Sequence, residues 1–426
     1  MQALSRSADL TPCHDEYTAS GRCIHFRTKE GTMSRLPAGW DGEAHGHWLQ
    51  ERRQEAIRCV LSRLNAEANK SVPLQLQFAY YLFLSGDPAS AAQVLTLAYR
   101  SAPDNTEVLR NLCVCLSRSD QHERAVTHLV ELVRREPDDY LVHDGLCTSL
   151  AKLGRHEEAA QAGTRALTLK DEAVSQPVAG WVLPTEGPDV WLAEQGEKQA
   201  VIAFSLWGAQ PRYLRGALDN VLAAAYLYPG WRVRFYVDGS VPQGFLACLQ
   251  EHGAEIKVQP DGQSQRQRLC WRFQVANDPG VGRFLVRDAD SVLNLRERLA
   301  VDDWLASGRW FHIMRDWWSH TDLVLAGMWG GVAGVLPPLA PLMASYQPST
   351  METPNIDQWF LRDCLWRYLR QSARVHDRCF TPPGAVPWPQ VAPLGNEHVG
   401  QDLFRARGDR QAIRLAPWIA RLPCLR

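Results

Sequence analysis

At 426 residues the chain exceeds what one compact core holds, so two or three domains are expected. Its 46 basic and 47 acidic residues nearly cancel to a formal charge of -1, which supplies no basic field for nucleic acid or an anionic membrane. The 11 cysteines are odd in number and form no paired framework, and no run reaches transmembrane length. No secretory segment is recognised either, so the expected location is a reducing cytoplasm.

Residues 1–45 carry little pattern and read as a flexible leader. Cys13, His14, Cys23 and His25 fall there, but their spacing matches no familiar zinc module. Residues 47–69 are amphipathic and read as a preceding helix or a degenerate repeat. From 72 to 171 the chain repeats itself. Gly86, Asp120 and Gly154 stand 34 residues apart, and other positions fall into columns with them. Ala79, Cys113 and Cys147 form one small-residue column, and Ala91, Ala125 and Ala159 another. Ala98, Leu132 and Ala166 make a third; Pro103 and Pro137 close two units, where the third has Asp171. Each unit reads as two helices around a turn, with small residues allowing close approach and proline ending the second helix. This register resembles the tetratricopeptide repeat, which places a helical repeat domain at 46–171. The resemblance implies a surface for a peptide or protein ligand; an internal scaffold or a homo-oligomer surface is the competing use.

Residues 172–199, rich in Pro and Gly, read as a linker. Beyond them, strands and helices alternate through 200–426. "AVIAFSLWG", "RVRFYVDGSVP", "AEIKVQP", "GRFLVRDADS" and "RWFHIMRD" read as strands, with helical runs between them. The expectation is an open, mixed but mainly parallel sheet covered by helices, for an overall α + α/β class. Ligands in such sheets bind beyond the carboxyl ends of the strands, which places Ser205, Asp238, Asp288, Asp290, Arg315 and Asp316 on one rim.

Asp288-Ala-Asp290 ends a hydrophobic run with two carboxylates that repel unless something positive joins them. One reading is a polar strand end leading into a helix cap. The other is a divalent cation site, since Mn²⁺ or Mg²⁺ takes oxygen ligands and i, i+2 side chains of an extended segment share a face. No glycine-rich phosphate loop competes for a diphosphate.

A doubly wound domain with Asp-x-Asp at this place resembles the glycosyltransferases of the GT-A fold. The series "RDADS", "FHIMRD", "GMWGG", "NIDQWF" and "HDRCF" carries that resemblance over about half the chain. It implies a metal-dependent transfer from a nucleotide sugar, most simply UDP-linked, to a peptide or protein acceptor recruited by the repeats. A glycan or small-molecule acceptor, or a non-catalytic scaffold, are the alternatives. By the resemblance, Asp288, Asp290 and His376 are metal ligands. Ser205, Trp207, Tyr213 and Asp238 would hold base and ribose; Arg272, Arg287, Asp288, His312, Gly330 and Gly331 would complete the donor site. Asp316 and Asp357 are the candidate bases, with Arg315 and His320 beside them.

Overall fold

The computed structural model describes residues 36–66, 71–176, 178–348, 355–389, 393, 395 and 397–426. Cys13, His14, Cys23 and His25 lie outside the described residues. The chain divides into two compact units. One runs to Pro137 and takes in Lys152–Gly154; the other comprises Asp138–Ala151 and Arg155–Arg426.

The first unit is helical: α1 (Gly42–Leu49), α2 (Arg53–Ala66), α3 (Val72–Leu84), α4 (Pro88–Ser101), α5 (Thr106–Arg118) and α6 (His122–Arg135). The amphipathic run at 47–69 is split, because Glu51 takes a positive φ of 59° and separates α1 from α2. Asp41 caps α1 by accepting from the Ala44 amide at 2.8 Å, and Asp87 and Asn105 do the same for α4 and α5. Two further helices, α7 (Tyr140–Lys152) and α8 (His156–Val174), keep the same spacing.

The turn column is the one that needs left-handed backbone. Gly86, Asp120 and Gly154 have φ of 86°, 56° and 72°, so each reverses the chain between two helices. The small-residue columns are buried throughout, as close helix packing requires. Both helices of the third unit, except Lys152 at the end of α7, belong to the second compact unit. The expected boundary after residue 171 therefore differs from the observed division. Asp171, the departure from the closing prolines, shows why. It accepts from Trp366 Nε1 at 2.6 Å and pairs with Arg370 at 2.9 Å, while α8 runs on to Val174. The expected linker at 172–199 contains that helix end and a short helix, α9 (Pro188–Glu194).

The rest of the second unit is built on eight strands: β1 (Gln199–Leu206), β2 (Trp231–Val237), β3 (Glu255–Val258), β4 (Val281–Arg287), β5 (Phe311–Arg315), β6 (Met328–Val332), β7 (Ala373–Asp377) and β8 (Ala385–Val386). They form one mixed sheet in the order β3-β2-β1-β4-β6-β5-β7-β8, with β6 antiparallel to both neighbours. Helices α10 (Pro211–Leu227), α11 (Gln243–Glu251), α12 (Gln265–Cys270) and α13 (Leu295–Ala306) lie between strands. The apolar faces of β1, β2 and β4 pack with α10, α11 and α13 around Phe204, Phe235, Leu285 and Trp304. After β1 the chain builds outward to β2 and β3, then returns to the other side of β1 with β4. That reversal marks the carboxyl ends of β1 and β4 as the place where such sheets form a ligand crevice.

Gly330 and Gly331 are strand residues. They sit inside β6 opposite Leu285 and Phe284 of β4. A Cβ on Gly330 would overlap the Phe284 carbonyl, and one on Gly331 would meet Trp310 O at 3.2 Å. The glycines serve the close approach of three strands.

Candidate functional site

The crevice is set by how α12 and the 3₁₀ turn after it dock on β1. Ser264 and Gln267 form a capping box at the start of α12, and the chain tightens at Trp271–Asn277. Ser205 of β1 fixes that turn: its hydroxyl takes the Arg272 amide at 3.1 Å and donates to the Leu269 carbonyl at 3.3 Å. Arg272 is thereby aimed across the end of β4, only 4% exposed. Its guanidinium donates to the Arg287 carbonyl, forms an ion pair with Asp288, and reaches Asp357 Oδ2 at 3.1 Å.

Ala289 and Asp290 form a turn rather than an extended segment, so the two carboxylates diverge. Asp288 turns to Arg272 and keeps 39% of its side chain exposed. Gly327 makes room for it, since a Cβ there would overlap the carboxylate. Asp290 turns to Arg212, in the first turn of α10, and Arg212 Nε lies 2.9 Å from Asp402. Arg272 and Arg212 thus serve four carboxylates, Asp288, Asp290, Asp357 and Asp402, with Arg405 a third guanidinium 3.4 Å from Asp402. Burial and then the Asp288 charge push Asp290 up to about 6. Burial likewise pushes Asp357 up to about 6, with Arg272 opposing.

Around this centre, Trp207 stands edge-on to Trp271 at 6.2 Å. Tyr213 lies under the Arg212 guanidinium at 5.0 Å, its phenol raised by burial and by Asp290. Asp238, at the end of β2, takes Arg268 at 3.2 Å and the Ser240 hydroxyl. Arg212, Arg268 and Asp402 were not among the expected site residues. Arg212 follows Gln-Pro at a helix start, a signal the sequence does offer; Asp402 lies in a stretch with no readable strand or helix pattern before it.

Other expected residues are spent elsewhere. Asp316 is fully buried, clamped by Arg296 and by Arg378 at 2.8 Å, and takes the Val399 amide at 2.7 Å. A carboxylate so committed is unsuited to accept a proton. Arg315 is buried against Asp377 at 2.6 Å, and His320 Nδ1 accepts the Asp316 amide at 2.9 Å, so both hold the chain after β5. Arg287 turns to Glu297 of α13 rather than toward the crevice. His312 stacks on Trp304 and its Nε2 lies 3.1 Å from His376 Nδ1; His376 Nε2 in turn meets Asp303 at 2.9 Å. Burial holds both imidazoles below their usual range. β7 lies three strand spacings from β4, about 14 Å, so His376 is no ligand partner of Asp288. Among the described residues, the close-set ligand triples are Cys248, Glu251 and His252, and Asp41, Glu43 and Cys59.

The helical array offers a second candidate surface. Residues 82–150 match the family model of the tetratricopeptide repeat, spanning the turn columns at Gly86 and Asp120. These are tetratricopeptide repeats. Among solved structures, the repeats align with MamA MSR-1, 25% identical over 30% of this chain and 72% of that one, with a TM-score of 0.27. MamA of Desulfovibrio magneticus RS-1 aligns at 19% identity over 30% and 73%, TM-score 0.29. YrrB, described as a TPR protein with an unusual peptide-binding site, aligns at 17% over 30% and 66%, TM-score 0.28. No curated protein matches the chain. The third repeat is fastened within its own unit by Lys170, which is buried and reaches Asp144 at 3.0 Å, Asp322 at 2.9 Å and the Thr321 carbonyl at 2.6 Å. No helix among the described residues is long and apolar enough to cross a membrane.

Proposed function

We propose that the α/β unit is a GT-A-like glycosyltransferase that takes a sugar from a nucleotide donor, most simply UDP-linked. The observation that carries the reading is the charge at the crevice, where four carboxylates meet three arginines at the reversal of strand order. The surplus of negative charge and the hard oxygen donors fit Mn²⁺ or Mg²⁺, with Asp288 and Asp290 as the residues that would hold it. A bound cation would supply charge neutralisation for a diphosphate leaving group.

The chain's own residues have distinct parts in this reading. Ser205 and Arg272 fix the crevice floor, and Arg272 would pair with phosphate oxygens beside a cation held by Asp288 and Asp290. Trp207 and Tyr213 flank the β1 end, where a base would stack, and Asp238 lies at the neighbouring strand end for ribose hydroxyls. Asp357 is the remaining base; its carboxyl near 6 is ionised at neutrality yet basic enough to take an acceptor proton. The tetratricopeptide repeats would recruit a peptide or protein acceptor.

A second reading takes the same ion pairs as a closed latch that stabilises a non-catalytic scaffold, and the engagement of Asp288 by Arg272 and of Asp290 by Arg212 favours it. Incubation with a panel of UDP-sugars and Mn²⁺, with and without EDTA, separates the two. Metal-dependent release of UDP is expected, and its absence for every donor would leave the scaffold.

A further inference from the structure

The helix Leu403–Arg414 breaks at Arg407, whose φ of -152° and ψ of 39° lie outside the helical range. An open surface depression of about 860 Å³ lies against the break. Four arginines line it, Arg215, Arg405, Arg407 and Arg410, with Asp409 and the ring of Phe404. Arg215 enters from α10: its Nε donates to the Leu425 carbonyl at 2.6 Å, and its guanidinium lies 5.2 Å over Phe404. Arg407 pairs with Glu397, and Arg405 lies 3.4 Å from Asp402. Even counting both of those carboxylates, the lining keeps a positive surplus, and Asp402 is also shared with Arg212.

We propose that this depression binds a soluble phosphate ester. Guanidinium forks match phosphate oxygens two at a time, which a point charge on lysine does not. Phe404 gives the ester's carbon skeleton an apolar wall. Arg410, exposed at the mouth, supplies charge that draws the anion in. The site adjoins the Asp288–Asp290 crevice through Asp402, which both Arg212 and Arg405 approach, but it does not require a cation.

Calorimetric titration of the full chain with inorganic pyrophosphate and with glycerol phosphate, in EDTA, tests this. Saturable binding is expected, weakened about tenfold or more by Arg410→Glu and retained in Asp288→Asn. Lack of saturable heat, or binding indifferent to Arg410→Glu, overturns the proposal. Binding to phosphatidic acid vesicles without binding to either soluble probe overturns it as well. Because Arg410 is exposed, the variant keeps the fold, and an unchanged thermal melt verifies that.

Discussion

Arg272 is a single side chain between a half-open carboxylate and a buried one. Arg272→Ala leaves Asp357 buried without its cation, a loss expected to cost about 3–5 kcal/mol in urea unfolding. A loss below about 1 kcal/mol would mean that water reaches Asp357 freely. Asp290 and Asp357 also set a pH dependence. Their folded values near 6 lie above an unfolded aspartate's ~3.9, so the native state holds the extra protons between those values. Their stabilising contribution is complete below about pH 4 and is lost as pH rises through about 6. Metal-free protein should therefore lose part of its stability across that window, and Asp357→Asn should flatten the slope. An unchanged slope in the variant would contradict the burial argument. Asp288 and Asp290 were legible as a charged strand end, because two acids after an apolar run are conspicuous. The roles of Asp316 and His376 were not, because sequence shows which residues reach a strand end but not which arginine or imidazole waits there.

Elements were legible where periodicity was strong. β1, β2 and β4 read as apolar runs, and α10, α11 and α13 as helical faces, each near its observed bounds. β6 was not, since "MWGGV" looks like a turn until Phe284 and Phe311 are seen pressing on its glycines. Gly327, one residue before β6, is different: it gives Asp288 its room. Gly327→Ala should displace the Asp288 carboxylate and abolish metal-dependent UDP release while a circular dichroism melt stays close to wild type. Full activity in that variant would detach Asp288 from the reaction. In the repeats, the left-handed column was visible as Gly86 and Gly154 with Asp120 between them, because that backbone selects residue type directly.

At the scale of the molecule, the sequence showed two grammars, and the two compact units divide the chain at another place. The third repeat obeys the 34-residue register, yet α7, except Lys152, and α8 belong to the compact unit that holds the sheet. His156 stacks on Trp318, Gly163 leaves space for Phe380, and Lys170 ties Asp144 to Asp322. Trp318, Phe380 and Asp322 lie more than 140 residues further along the chain than His156, Gly163 and Lys170, beyond the reach of any local pattern. A fragment of residues 138–426 should therefore unfold cooperatively on heating, whereas 172–426, stripped of both helices, should aggregate. Equal melts for the two fragments would contradict the observed division. The most direct test of the proposed chemistry is calorimetric titration of UDP with and without Mn²⁺, on the full chain and on Asp290→Asn. UDP binding should need Mn²⁺ and fall about tenfold or more in the variant. UDP binding that ignores both the metal and the substitution would contradict it.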